Sequence, residues 1–366
     1  MHKGRLVLED GSSWEGEAFG ADVSSVGEVV FNTSSTGYQE ILTDPSYSFQ
    51  IVTMTSPHIG NYGLFADVEQ SDRPHVAGFV VRELSPGRDP KALESLEQYF
   101  QRHGVIGLTG VDTRALTRRL RIAGAAKAMI VTGDRPIDEI VREIEAAPSM
   151  SGRDLVREVT ALRPYLFESS GRKDCRVAVY DYGVKRHILE QLAARNCEVT
   201  VYPASVHPDE ILNAGFDGVV LSNGPGDPEP VTYAQENIRH LIGRIPILGI
   251  CLGHQLLGLA LGGRTYKLKF GHHGGNHPVK DLRNGKVEIT AQNHGFSVDP
   301  DSLKSSEVEF THVNLNDDTL EGFRHKVHPI LAAQFHPEAA PGPHDSLHLF
   351  DDFFAMIREF SGVSRD

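Results

Sequence analysis

The stretch Gly249-Ile250-Cys251-Leu252-Gly253 carries a thiol with a glycine two residues away on each side. Apolar residues Pro246–Ile250 lead into it, and Leu252–Leu261 follow with helical spacing. This pattern predicts a strand, a sharp turn and a helix. Small flanking residues allow such a strained turn and leave the nucleophile exposed at the sheet edge. Helix amides at that point favour the thiolate, and the N–H of Leu252 is placed to hold a developing oxyanion. A thiolate nucleophile needs a histidine to move protons and a carboxylate to orient that histidine. Of the 18 histidines, His336 has the most suitable setting. Gln334-Phe335-His336-Pro337-Glu338 follows the apolar strand Pro329–Ala333, so a His and an acid two residues apart can face one site.

Other chemistry-bearing residues are less specific. Cys175 and Cys197 lack the strand–turn–helix setting and read as packing residues. Three cysteines cannot make a disulfide framework, which points to a reducing compartment. The turn Ser222-Asn223-Gly224-Pro225-Gly226-Asp227-Pro228 brings backbone N–H groups close to a ligand. No Gly-Lys-Ser/Thr follows it, and no Rossmann fingerprint occurs, so no nucleotide site is expected on this chain. His272, His273 and His277 invite a zinc reading. A structural zinc site needs four ligands, usually including Cys, and no cysteine lies near them, so no metal is expected.

The elements that must position these groups divide the chain in two. Arg5–Leu8, Val26–Phe31, Gln50–Met54 and Val76–Val81 are short apolar runs between turn signals and read as β-rich structure. Glu94–Arg102 and Thr113–Ala123 read as helices, the second opening at Asp112-Thr113. Residues 147–173 are rich in Pro, Ser, Gly and charge. The expected organisation is an N-terminal domain over 1–150, a linker over 151–173 and a C-terminal domain over 174–361. In the last, strands Arg176–Asp181, Glu198–Tyr202, Gly218–Ser222 and Pro246–Ile250 alternate with helices Val184–Arg195, His207–Ala214, Val231–Gly243 and Leu252–Leu261. That alternation predicts an α/β fold: a doubly wound, mostly parallel sheet, beside a smaller β-rich α+β domain. Ligands of such sheets sit at the carboxyl ends of the strands. Ile245–Gly263 approaches the length of a membrane span, but Pro246, His254, Gln255 and its glycines make it a buried strand plus a buried helix. The chain has 366 residues, with 40% apolar and 23% charged residues and a net charge of -13, which suits a globular protein and disfavours nucleic-acid or anionic-membrane partners.

Taken together, Gly249–Gln255, the Gly-Pro-Gly-Asp-Pro turn and His336-Pro337-Glu338 resemble the class I (triad) glutamine amidotransferases. Within them the chain is similar to the small, glutamine-hydrolysing subunits of carbamoyl-phosphate synthetases. Gly27–Thr33, Thr36–Tyr47, Pro57–Asn61, Asp112–Arg114, Asp181–Lys185, Lys269–Pro278, Gln292–Phe296 and Pro341–Asp345 carry that likeness, which spans essentially the whole chain. One departure is His187, where that family more often has Asn. The resemblance implies a Cys251 nucleophile that forms a γ-glutamyl thioester, His336 as proton shuttle and Glu338 orienting it. It implies an oxyanion hole from the amides of Leu252 and Gly226. Glutamine contacts are implied at Ser46, Gly224, Gly226, Leu252, Gln255, Asn293, Gly295 and Phe296, with Ser46 coming from the N-terminal domain. A large synthetase subunit is the implied partner, holding ATP and divalent cations, while this chain carries no cofactor. A cytoplasmic setting follows, without nucleic acid or membrane. The alternatives are another triad amidotransferase or cysteine hydrolase, or a regulatory subunit without catalysis.

Overall fold

The computed structural model describes residues 2–87, 89–167 and 173–362. It resolves into two compact units. The first comprises Met1–Ser151 with Lys269–Gly274, and the second Gly152–Leu268 with Gly275–Asp366. Neither unit is therefore a single continuous stretch of chain.

Among the described residues the first unit has nine strands of its own: β1 His2–Leu8, β2 Ser13–Gly20, β3 Ser25–Asn32, β4 Gln50–Met54, β5 His58–Ile59, β6 Gly78–Val80, β7 Glu83–Leu84, β8 Ile106–Thr109 and β9 Ala126–Thr132. Seven of them close into a barrel in the order β1-β2-β8-β6-β4-β3-β9, and β5 pairs with β7 apart from it. Closure removes unpaired edges. Leu6, Val29, Ile51, Leu108 and Ile130 form one apolar cluster of this unit, and Phe19, Tyr38, Phe79 and Phe100 belong to another. Four helices, α1 Tyr38–Thr43, α2 Leu96–His103, α3 Thr113–Ala123 and α4 Ile137–Ala146, complete the unit. The expected N-cap is present: the Asp112 carboxylate accepts from the Ala115 N–H. The Lys269–Gly274 segment is tied in by the backbone, with Ala125 N–H donating to Lys269 O and Thr33 N–H to His273 O.

Among the described residues the second unit is built on ten strands: β10 Tyr165–Phe167, β11 Cys175–Asp181, β12 Cys197–Pro203, β13 Gly218–Leu221, β14 Ile247–Ile250, β15 Thr265–Asp281, whose residues Lys269–Gly274 belong to the first unit, β16 Val287–Val298, β17 Val308–Asn314, β18 Leu320–His325 and β19 Ile330–Ala333. Their order is β10-β12-β11-β13-β14-β19-β18-β17-β15-β16. β12, β11, β13, β14 and β19 run parallel, while β18 and β17 continue antiparallel. The five parallel strands are almost wholly apolar at their centres, as a sheet covered on both faces requires. The helices are α5 Arg186–Ala194, α6 Pro208–Asn213, α7 Thr232–Leu241, α8 Leu252–Ala260 and α9 His348–Phe360. The expected mixture of a mostly parallel sheet and a β-rich N-terminal portion is borne out. Ile245–Gly263 is indeed strand β14 and the buried helix α8, and no helix among the described residues is long and apolar enough to cross a membrane.

Three features differ from the expectations. The sheet has an antiparallel half, β15 to β18, that the sequence reading did not contain. Residues 151–173, expected as a linker, include buried Leu155 and Val156 and the strand β10, which pairs antiparallel with β12; 168–172 lie outside the described residues. Finally, Cys175 and Cys197 are not separate packing residues. They are register partners at the starts of β11 and β12, with Cα atoms 4.9 Å apart, and form a disulfide. The parallel crossover brings them side by side although 22 residues separate them in sequence.

Candidate active site

Strand register brings the functional turns together. Leu221 of β13 pairs with Gly249 of β14, and Ile250 of β14 pairs with Ala333 of β19. The parallel strands thus end level, and the turns that leave them meet at one edge, where ligands of such sheets bind.

Cys251 caps α8 with φ 53° and ψ -104°, a left-handed conformation that side chains rarely adopt. Its N–H donates to Ala333 O. The glycines beside it are sterically required. A Cβ on Gly253 would lie 2.2 Å from Leu221 O, and one on Gly249 would lie 2.5 Å from Leu257 Cδ1 and 2.9 Å from Gly253 C. Helix and strand pack too closely there for any side chain. The Cys251 thiol donates to the Asn293 carbonyl at 3.5 Å. Leu252 opens α8, so its N–H is one of the amides with no partner inside the helix.

His336 follows β19 and is 2% exposed, while Glu338 is fully buried. His336 N–H donates to Ala291 O, which fixes the backbone at that point. His336 Nδ1 lies 2.8 Å from Glu338 Oε1. His336 Nε2 meets no hydrogen-bond partner among the described residues, and Cys251 is close enough to act on the ring. Burial alone would make the imidazole shed its proton. The Glu338 carboxylate and an ionised Cys251 outweigh that and raise the His336 pKa against the opposing charge of Lys185, so the imidazolium is held once the thiol has given up its proton. Glu338 is the complement: burial disfavours its charge, but Lys185 and His336 bring its pKa down to about 2.

Lys185 closes the Asp181–Lys185 stretch and takes a definite place in the site. Its side chain is 3% exposed, with Nζ 2.8 Å from Glu338 Oε1 and 2.6 Å from the Ala339 carbonyl. The turn that delivers it is local: Asp181 Oδ1 accepts from the N–H groups of Gly183 and Val184, and Asn223 Oδ1 accepts from that of Lys185. No sequence signal could have linked Lys185 to a carboxylate 153 residues away.

The other expected residues divide between the units. Gly224 follows β13, and a Cβ there would lie 2.2 Å from Tyr182 O. Gly226 has φ +85°, which suits glycine. Gln255, on α8, donates through Nε2 to Phe296 O at 2.8 Å and to Gln334 Oε1 at 3.1 Å. Asn293, Gly295 and Phe296 lie in sequence along β16. Ser46 belongs to the first unit, on a 3-10 turn over Pro45–Tyr47 where Asp44 Oδ1 accepts its N–H. His272 and His273 fall in the first unit's segment and His277 in the second.

Cys251 on its strand–turn–helix elbow and the buried His336–Glu338 pair, at the carboxyl edge of a parallel sheet, have the chemistry a thiol nucleophile with a proton-carrying histidine needs. Comparison with known families agrees. Residues 178–356 match the family described as "Glutamine amidotransferase class-I", and residues 6–130 match "Carbamoyl-phosphate synthase small chain, CPSase domain". The second unit is thus a class I glutamine amidotransferase domain. Similarity extends over the whole chain to the carbamoyl phosphate synthase small chains of Syntrophotalea carbinolica, 50% identical and covering 98% of each chain, and of Thermus thermophilus, 49% identical and covering 98% of this chain and 94% of that one. The small chain of Methanopyrus kandleri is 51% identical, covering 97% of this chain and 99% of that one. The chain belongs to the carbamoyl-phosphate synthase small-chain family, the glutamine-hydrolysing subunits of that enzyme.

Proposed function

We propose that Cys251, His336 and Glu338 hydrolyse L-glutamine and that the ammonia passes to a large synthetase subunit. The observation that carries this reading is the His336–Glu338 pair of 2.8 Å beside Cys251 on its elbow. The Cys251 proton moves to His336, and the sulfur attacks the glutamine carboxamide carbon. The amides of Leu252 and Gly226 hold the resulting oxyanion. His336 then gives its proton to the departing nitrogen, so ammonia leaves and a γ-glutamyl thioester remains. Neutral His336 next takes a proton from water, the hydroxide adds to the thioester, and collapse expels the Cys251 thiolate and frees glutamate. Glu338 holds the imidazolium that forms twice in this cycle, and Lys185 holds Glu338 ionised.

Gly224, Gln255, Asn293, Gly295, Phe296 and Ser46 are proposed as glutamine contacts. The large subunit would bind ATP and divalent cations and combine ammonia with bicarbonate to give carbamoyl phosphate, for pyrimidine and arginine synthesis. This chain would need no cofactor, and a cytoplasmic setting rests on the family resemblance alone, since the Cys175–Cys197 bond removes the cysteine-count argument. Transfer inside the complex has a physical rationale, since free ammonia becomes ammonium in water and loses nucleophilicity.

The test is Cys251→Ser in the complex with the large subunit. Glutamine-dependent synthesis is lost while synthesis from added ammonia persists. A variant with parental glutamine-dependent activity would refute the nucleophile assignment.

A further inference from the structure

Gln334 is fully buried, one residue past β19 and two before His336. The chain bends at Gln334 and Phe335 between β19 and His336, so the glutamine's place is fixed by its own contacts. Gln334 Nε2 lies 3.7 Å from Cys251 Sγ, within hydrogen-bond range for sulfur.

The direction of that hydrogen bond is fixed by its neighbours. Gln255 Nε2 donates to the Phe296 carbonyl, which can only accept. The same nitrogen faces Gln334, so Gln334 turns its oxygen toward Gln255, at 3.1 Å, and its NH2 group toward the sulfur. The Gln334 N–H donates to Glu321 O, anchoring the backbone from the other side. His254 is also completely buried, with its ring centroid 4.9 Å from that of Phe323. Burial brings its pKa down to about 3, so it stays neutral and adds no competing charge.

Two groups therefore meet the Cys251 sulfur with opposite preferences. The Asn293 carbonyl accepts and favours the protonated thiol. The Gln334 amide donates and favours the thiolate, because a hydrogen bond to an ionised acceptor is roughly twice as strong as to a neutral one. Once the proton has gone to His336, the Asn293 contact has nothing to accept and the Gln334 contact strengthens.

We propose that Gln334 is a further catalytic residue, whose carboxamide N–H stabilises the Cys251 thiolate both before attack and when the thioester collapses. The proposal rests on Cys251 being the nucleophile. It also gives Gln255 a task besides touching substrate: fixing which end of the Gln334 amide meets the sulfur.

Gln334→Leu, in the full chain with its large subunit, removes the donor and keeps much of the volume. The rate of Cys251 alkylation by iodoacetamide at pH 7 falls about tenfold, its pH profile moves to more alkaline values, and kcat for glutamine falls about tenfold with KM changed less than about twofold. A purely structural role would leave the alkylation profile in place. Gln334→Glu keeps the shape and sets a carboxylate against the sulfur, so it moves the profile further the same way and serves if the leucine variant fails to fold. An unmoved alkylation profile in a folded variant overturns the proposal. Cys251→Ser separates the two levels. If that variant is inactive while Gln334→Leu behaves like the parent, only the role of Gln334 fails; if it stays active, the nucleophile assignment itself fails.

Discussion

Replacing Lys185 with methionine tests the electrostatic core of the site. The substitution keeps an unbranched side chain of similar length and deletes the charge that lies 2.8 Å from Glu338 Oε1. Glu338 is fully buried, so solvent cannot take over the role of the lost ammonium. The carboxyl pKa falls from 4.5 to about 2 in the folded chain, against the burial that would raise it, with Lys185 and then His336 as the opposing charges. At about 1.4 kcal/mol per unit, that depression corresponds to roughly 3 kcal/mol of stability shared by the two partners. Breaking a buried pair from one side costs about 3–5 kcal/mol, which agrees in size. The sign with pH follows: Glu338 contributes its full share above the unfolded value of 4.5, and loses it as pH falls through the folded value near 2. Lys185→Met therefore removes the larger share of that, lowering the free energy of unfolding at pH 7 by about 2–3 kcal/mol in urea titrations, and flattens the loss of stability between about pH 4.5 and 2. Glutamine-dependent turnover falls as well, because the carboxylate that orients His336 becomes easier to protonate. A variant within about 0.5 kcal/mol of the parent at pH 7, with an unchanged acid limb, would refute the reasoning.

Other perturbations have equally definite outcomes. Gly253→Ala forces a Cβ against Leu221 O at 2.2 Å, so helix α8 must move off the strand; thermal unfolding is earlier and glutamine-dependent synthesis is lost, whereas an active variant of parental Tm would refute the packing account. The Cys175–Cys197 bond leaves Cys251 as the free thiol, so thiol titration of the unreduced, denatured chain gives a count of one and peptide mapping recovers the linked pair. Three alkylated cysteines in chain denatured with iodoacetamide and never reduced would refute the bond.

The elbow was legible because its determinants are local. Gly249, Cys251 and Gly253 lie within one turn, and each glycine answers to a contact made by the flanking strand or helix. The sequence also carried His336 and Glu338, since an apolar strand directly precedes them. What it hid depends on strand order. Lys185 reaches Glu338 only because β11 and β19 share a sheet, and Cys175 meets Cys197 only because β11 and β12 are parallel neighbours. Gln334 stood in a recognised segment, but nothing local says that its amide meets a sulfur 83 residues earlier. The antiparallel half escaped notice for another reason. β15 is 17 residues of Gly, His, Lys and Asn mixed with a few apolar positions, and its burial pattern lacks clean alternation.

The span between Lys185 and Glu338 also has a temporal meaning. β19 lies between β14 and β18, so the sheet cannot close around the site until the ribosome has delivered residue 333. At about 5–20 residues per second, the 153 residues separating lysine from glutamate take roughly 8–30 s to emerge. In the part of that interval after Cys251 has emerged, the elbow cysteine exists without the histidine, the carboxylate or the ion pair of the proposed site. On the proposed mechanism, a chain that stops short of Glu338 lacks part of the triad and releases no ammonia from glutamine.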